Sequence, residues 1–136
     1  MSGFGQFRAA MALYSDGSFL SPISAQPSIR HDDILFVGVF LVDPMTGDEY
    51  RKLIIRSCWA SPTNNTNDEI KFFLIDEPGC ANHTMVEVIE NGETTQARFT
   101  SEVFAFSGYG EVYLFCDISI CFGDCKPVRM KHYLIY

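Results

Sequence analysis

The stretch that decides the fold runs from residue 111 to residue 120 and reads Glu111-Val112-Tyr113-Leu114-Phe115-Cys116-Asp117-Ile118-Ser119-Ile120. One set of alternate positions is entirely apolar: Val112, Leu114, Cys116, Ile118 and Ile120. A period of two residues is that of a β-strand with one buried face. Cys116 lies at the centre of this row, so we predict a core-facing cysteine suited to an inter-sheet disulfide.

Other strand-like segments precede this one along the chain. Ile34–Val42 is apolar on both faces, which predicts a central strand. Arg51–Trp59 is predicted to have Leu53, Ile55 and Ser57 on one face and Ile54, Arg56 and Cys58 on the other. Further β-rich segments cover residues 70–75, 84–90 and 96–106, with turn signals at 43–48, 76–79, 91–92 and 107–110.

Asn91-Gly92 between two such segments predicts a β-hairpin. Strands that recur at this spacing without intervening helices predict an all-β protein, an immunoglobulin-like or fibronectin-III-like antiparallel β-sandwich. The last residues, 126–136, have no pattern that assigns them a structure.

One segment has two interpretations. Residues 7–14 are rich in helix formers, and the apolar positions 7, 10, 11 and 14 have helical spacing. The same residues alternate as a strand, with Phe7, Ala9, Met11 and Leu13 on one face. Propensity alone favours the helix.

Composition limits the class of protein. The chain has 136 residues, 47% hydrophobic and 20% charged, which is typical of one globular domain and excludes a disordered chain. A net charge of -7 argues against binding to nucleic acid or to an anionic membrane. The longest apolar run, 34–42, is far short of the roughly 20 residues that span a bilayer, so we expect no membrane insertion by this chain.

The five cysteines (58, 80, 116, 121 and 125) have two interpretations. In an oxidising compartment they form a disulfide framework with one cysteine left over, whereas in the cytosol they would indicate a metal or redox site. Cys121-x-x-x-Cys125 is too long for a redox motif but fits a zinc pair. A second pair is missing and the histidines, 31, 83 and 132, are isolated. We therefore favour disulfides and predict no metal.

Two N-glycosylation sequons, at Asn64 and Asn82, also favour a secreted protein. Residues 1–5 lack the features of a signal peptide, which taken alone would predict a cytosolic protein. With the sequons and cysteines, we expect instead a fragment of a longer secreted or membrane-anchored precursor.

Catalytic groups are sparse. The only close group of titratable residues, His31-Asp32-Asp33, is interpreted as a polar approach to the strand at Ile34. Residues 107–110 are too short for a phosphate-binding loop and lead into a strand. We predict no enzyme and no cofactor.

Several motifs together resemble the C-terminal half of the zona pellucida (ZP) module. They are Cys58-Trp59-Ala60-Ser61-Pro62, Ile70–Ile75, Gly79-Cys80, Val88–Glu93, Ala97-Arg98-Phe99, Phe104-Ala105-Phe106, Glu111–Cys116 and Cys121. The resemblance covers about Phe4 to Pro127. It places a domain at 1–127, with residues 1–5 flexible and 128–136 as a tail of unknown structure.

The resemblance implies a non-enzymatic extracellular module that polymerises into filaments or matrix, with other ZP modules and a ZP N-terminal half as partners. It implies disulfides Cys58–Cys116 and Cys121–Cys125. In the family a further cysteine pairs with the counterpart of Cys80, but Lys126-Pro127-Val128-Arg129 contains none. Cys80 is therefore expected to be unpaired.

The resemblance also overrides the helix interpretation of residues 6–14. In the family this segment is a hydrophobic patch that forms the first strand and governs polymerisation, here carried by Phe7, Ala9, Met11 and Leu13. Two other classes stay open: a freestanding secreted β-sandwich that binds a protein or glycan through its loops, and a cytosolic metal-binding module.

Overall fold

A computed structural model of the chain describes residues 9–23, 34–42, 51–77, 80–82, 84–103, 106, 108–122 and 124–135, with the backbone only for 51, 122 and 124–135. Within this part every regular element is a β-strand. The strands are β1 (Ala9–Tyr14), β2 (Ile34–Leu41), β3 (Arg51–Ser61), β4 (Phe72–Asp76), β5 (Cys80–Ala81), β6 (Val86–Glu90), β7 (Gln96–Glu102), β8 (Tyr113–Phe122) and β9 (Asp124–Ile135).

The strands form two antiparallel sheets, and the predicted β-sandwich is confirmed. One sheet has the order β1-β2-β7-β6 and the other has the order β5-β4-β3-β8-β9. Strand β2 lies inside its sheet, between β1 and β7, as its two apolar faces predicted. The hairpin predicted at Asn91-Gly92 joins β6 to β7, and Gly92 adopts a φ of +85° that favours glycine.

The core lies between the two sheets. The predicted apolar face of β8 is buried over its whole length: Val112, Leu114, Cys116, Ile118 and Ile120. From the other sheet, Val37, Val39 and Phe99 are buried in the same cluster. The alternation of β8 is therefore confirmed as the pattern that defines the core.

The alternation predicted for β3 is wrong beyond Ile55. A β-bulge between Ile55 and Ser57 inserts one residue relative to β8, so the following side chains change faces. As a result, Cys58 and Ala60 join Leu53 and Ile55 in the core.

Residues 9–14 form a strand, so the helix favoured by propensity is wrong. Strand β1 pairs with β2 from Ala9↔Leu41 to Tyr14↔Phe36. Ala9, Met11 and Leu13 are buried and the residues between them are half-buried. Helix propensity differs by only a few tenths of a kcal/mol among these residues, so burial against the sheet decides the structure.

The C-terminal residues extend the second sheet. Strand β9 pairs with β8 from Phe122↔Asp124 to Tyr113↔Ile135, so residues 128–135, which no sequence pattern assigned, are strand. Several predictions fall outside the described residues: the flexible residues 1–5, Phe7, the group 31–33, and the turn at 43–48. In the described part, no helix has the length and hydropathy needed to cross a membrane.

The β6–β7 hairpin connects the two sheets through hydrogen bonds. The carboxamide of Asn91 accepts a hydrogen bond from the backbone N–H of Ile55 (2.7 Å) and donates one to the carbonyl of Ile55 (3.2 Å). The backbones of Gly92 and Thr94 bond to the carbonyl and the N–H of Leu53, at 3.0 and 2.8 Å. Strand β4 pairs with β3 only at residues 58–60. The hairpin loop thus provides hydrogen-bond partners for the backbone groups of β3 that β4 does not reach.

Replacing Asn91 by alanine is expected to lower the free energy of unfolding by about 2 kcal/mol, because it leaves a buried N–H and C=O of Ile55 without partners. Asn67 is exposed and takes part in its turn through its backbone N–H, which donates to the Oδ1 atom of Asn65, so it provides the matched control. Asn67→Ala should change stability by less than about 0.5 kcal/mol. Urea denaturation of both variants measures the difference, and equal stabilities would contradict the proposed role of Asn91.

Candidate functional site

Strand β1 lies at the edge of the four-stranded sheet and is the described part of the predicted polymerisation patch. Its sequence, Ala9-Ala10-Met11-Ala12-Leu13-Tyr14, has no charge, proline or glycine. It pairs with β2 on one side and has no ladder of hydrogen bonds on the other, and some of its residues lie near β9, the edge strand of the second sheet. Phe7, the fourth residue of the patch, lies outside the described residues.

The buried face of β1 packs onto the centre of the core. The Sδ atom of Met11 lies 4.0 Å from the Sγ atom of Cys116, which belongs to the opposite sheet. Both side chains are buried. The patch is therefore in direct contact with the disulfide of the second sheet.

Cys58 and Cys116 form a disulfide, and the pairing implied by the resemblance is confirmed. The prediction that this bridge would join the two sheets is wrong. The two residues are directly opposite each other on neighbouring strands β3 and β8, with their Cα atoms 4.1 Å apart. The bulge before Ser57 moves Cys58 to the core face, where it meets Cys116 within one sheet.

The other three cysteines lie at two places in the five-stranded sheet. Cys121 is disulfide-bonded, and the backbone register puts Cys125 directly opposite it, across the tight β8–β9 connection. Cys80 is a free, exposed cysteine. It lies in the two-residue strand β5 and not in a loop, opposite Asp76 at the end of β4.

The two sequon asparagines differ in their surroundings. Asn64 is exposed in the turn that follows β3. Asn82 is half-buried, and its Oδ1 atom accepts hydrogen bonds from the N–H and the hydroxyl of Thr84, at 3.3 and 2.7 Å. Its backbone carbonyl accepts from Met85 and Val86, so Asn82 organises the connection from β5 to β6.

Among the described residues, no cluster of three or more histidine, cysteine, aspartate or glutamate side chains could hold a metal ion. Two carboxylates, one exposed and one half-buried, have lowered pKa values, and both cap turns. The hydroxyl and then the N–H of Ser18 lower the pKa of Asp16 below its usual 3.8. The hydroxyl of Thr63 and the N–H of Ile70 do the same for Asp68. Each carboxylate therefore stabilises its turn when the pH is above the usual carboxyl pKa. This contribution is lost as the pH falls from that value through the lowered pKa.

Sequence reasoning missed the segment that follows β1. Residues 15–23 leave the strand and turn back beside it: the N–H of Ser15 donates to the carbonyl of Ser21 (3.0 Å), and the N–H of Ile23 donates to the carbonyl of Leu13 (2.9 Å). The motif Ser15-Asp16-Gly17-Ser18 has the composition of a turn, which could have indicated this reversal. We call residues 15–23 the return segment.

The chain belongs to the zona pellucida family, because the family model for the ZP-C domain matches residues 3–128. This match agrees with the β-sandwich and with the Cys58–Cys116 disulfide at its centre.

Individual relatives resemble the chain over nearly its whole length. It is 35% identical to pancreatic secretory granule membrane major glycoprotein GP2 of Canis lupus familiaris over 135 residues, which cover 93% of this chain and 26% of the relative. It is 35% identical to uromodulin of Mus musculus, covering 93% of this chain and 20% of the relative. For alpha-tectorin of Gallus gallus the identity is 36%, with 94% and 6% covered. The chain thus spans about a quarter or less of the length of these relatives.

Proposed function

We propose that this chain is a non-enzymatic, extracellular ZP-type glycoprotein module that takes part, within a longer precursor, in polymerisation into filaments or matrix. The observation that carries this proposal is the open edge of β1, which is apolar and free of charge, proline and bulges. Such an edge offers unpaired backbone groups to a strand of another chain.

The other outer strands carry features that oppose strand addition. Strand β6, the opposite edge of the same sheet, has exposed Glu87 and a register shift between Val88 and Glu90. Strand β5 has two residues, and the sequence of β9 contains Pro127 and two lysines, Lys126 and Lys131. Charges, proline, bulges and short length are the devices that protect sheet edges from pairing. Among the described edges, β1 alone lacks them.

Extracellular placement is supported by the disulfide and by the sequons. We propose N-linked glycans on Asn64, which is exposed, and on Asn82, whose side-chain oxygen accepts a hydrogen bond from the hydroxyl of Thr84, the third residue of its sequon. The second bridge is proposed to join Cys121 with Cys125, which leaves Cys80 as the unpaired thiol.

The proposed partners are other ZP modules, of the same or a different kind, and a ZP N-terminal half. They follow from the family membership and from the uncharged β1 edge, which suits another strand better than a charged polymer. The net charge of -7 makes nucleic acid an improbable ligand, and no direct insertion into a membrane is proposed.

Placing a charge beside the β1 edge tests the proposal. Ala10 is half-buried on the outward face of β1, so Ala10→Lys adds a charge next to the edge without entering the core. Glu87→Lys changes an exposed residue on the opposite edge strand and is the matched control. We expect Ala10→Lys to weaken self-association and binding to a ZP N-terminal half at least about tenfold, and Glu87→Lys to leave both within about twofold.

Sedimentation velocity of the chain secreted from cultured cells, alone and mixed with a ZP N-terminal half, measures both reactions. Melting temperatures of the two variants confirm that each is folded. If Glu87→Lys inhibits association and Ala10→Lys does not, assembly uses the β6 edge and the proposal for β1 is wrong. A wild-type chain that binds neither partner would instead favour the alternative, a freestanding secreted β-sandwich that binds a protein or glycan through its loops.

A further inference from the structure

The return segment, Ser15–Ile23, occupies part of the β1 edge. In a strand, the N–H and C=O of one residue point to the same side, and successive residues alternate between sides. The carbonyl of Leu13 and the N–H of Ser15 bond to the return segment, so the odd-numbered residues of β1 present their backbone groups to the open side. Tyr14 and Pro22 form an isolated antiparallel bridge at the same place.

The rest of this edge is open within the described residues. By the same alternation, the backbone groups of Ala9 and Met11 face the open side, and neither takes part in the hydrogen bonds that link β1 to the return segment. The return segment therefore divides the edge in two. Its N-terminal half, Ala9–Ala12, has no hydrogen-bonded strand on this side among the described residues, whereas its C-terminal half, at Leu13–Ser15, is occupied.

A single aromatic side chain holds the return segment against the outer face of the sheet. The ring of Phe19 packs edge-on against Tyr14 and Phe36, with centroids 5.4 and 6.0 Å apart. The guanidinium of Arg98 lies over the same ring, at 5.1 Å from its centroid. Arg98 is itself held by Glu90, whose Oε2 atom is 2.8 Å from its Nε atom.

The backbone around this anchor is strained. Phe19 has a φ of +56°, a left-handed conformation that is unfavourable for a residue with a Cβ atom. The neighbouring Leu20 leaves 80% of its surface exposed, so it adds no anchoring contact. Asp16 closes the turn by accepting hydrogen bonds from the N–H and the hydroxyl of Ser18. The return segment is thus held by a local turn and by the ring of Phe19. Little of its surface is buried, so little free energy opposes its release.

We propose that the return segment is an autoinhibitory guard of the assembly edge. While the return segment is in place, a strand from another chain can pair only with the Ala9–Ala12 half of β1. Release of the segment frees the backbone groups at Leu13–Ser15, so the ladder can extend by about one more pair of hydrogen bonds. This inference rests on the proposed function of the β1 edge. It adds that the return segment controls how many backbone groups of β1 can pair with another strand. The partner is an extended, uncharged strand of a second ZP module.

Two opposite changes test the guard. Phe19→Gly removes the anchoring ring at a position where glycine fits the backbone, and Leu20→Gly is the matched control one residue away. The double change Ser15→Cys with Ser21→Cys locks the segment by a disulfide between its hydrogen-bonded ends, with Ser15→Ala and Ser21→Ala as control. Both members of the second pair carry Cys80→Ser, so that the free thiol of Cys80 cannot interfere.

Hydrogen exchange and self-association are measured on each secreted protein. In Phe19→Gly we expect the amides of Ser15 and Ile23 to exchange at least about tenfold faster, and self-association to tighten at least about threefold, with neither change in Leu20→Gly. The locked protein should associate no more tightly than the wild type and less tightly than its alanine control.

The outcomes separate the guard from the function on which it rests. If Ala10→Lys weakens association but releasing or locking the return segment changes nothing, the guard is wrong and the proposed function stands. If Ala10→Lys has no effect either, the proposed function fails as well. If Phe19→Gly lowers the melting temperature sharply, the locked protein and its alanine control still test the guard. Equal association of these two proteins would show that the guard is wrong.

Discussion

Replacing Cys116 by serine is expected to lower the free energy of unfolding by about 4 kcal/mol, which is comparable with the whole stability of many domains. The disulfide with Cys58 joins residues 58 positions apart in the chain, and a cross-link over so long a loop removes much of the freedom of the unfolded chain. Both cysteines are also buried, and the Cys116 sulfur lies against Met11, so the serine hydroxyl would enter an apolar core.

Cys125→Ser provides the comparison. The proposed Cys121–Cys125 bridge closes a loop of only a few residues, for which the same argument gives about 2 kcal/mol. Thermal unfolding of the secreted variants should therefore show a much larger decrease in melting temperature for Cys116→Ser than for Cys125→Ser. Equal decreases would contradict the assignment of the two bridges.

Replacing Met11 by aspartate is expected to cost about 3 kcal/mol or more, and with it secretion and assembly. Met11 is 8% exposed, lies beside the Cys58–Cys116 disulfide and has no cation among its described contacts. An ionised carboxylate at this position would lose its hydration without gaining a partner, and its pKa would rise as a result.

Two variants isolate the effect of burial. Met11→Leu keeps an apolar side chain of similar volume and should cost less than about 1.5 kcal/mol. Ala12→Asp introduces the same charge on the half-buried outward face of β1 and should be secreted better than Met11→Asp. Secretion yield and self-association measure the outcome, and full secretion of Met11→Asp with unchanged association would show that β1 is neither buried nor part of the assembly site.

Local sequence predicted the elements whose pattern and surroundings agree. The alternation of residues 112–120 gives the face of β8 that packs in the core between the sheets, because successive side chains of a strand point to opposite faces, although Phe115 and Ser119 on the other face are buried too. Asn91-Gly92 predicts its hairpin because glycine readily adopts the positive φ that the turn requires. The family resemblance, carried by cysteines and the residues around them, implies the correct partner of Cys58.

Local sequence could not decide β1 or the faces of β3. Residues 9–14 satisfy both a helical and a strand pattern, and only the pairing with β2 and the burial of Met11 select the strand. In β3 the alternation changes at the bulge after Ile55, which depends on the register with β8. For this reason Cys58 was predicted on the wrong face, and its bridge with Cys116 was expected between the sheets and not within one.

The contacts between segments far apart in the chain were decided by the tertiary structure alone. Asn91 bonds to Ile55, which is 36 residues away. Arg98 of β7 lies over Phe19 of the return segment. The sequence by itself determined an all-β domain, because hydrophobic alternation is a local property of the chain, and its motifs carried the resemblance to the ZP family. It could not determine which backbone groups of β1 are left open, since that depends on where distant segments meet once both sheets have formed.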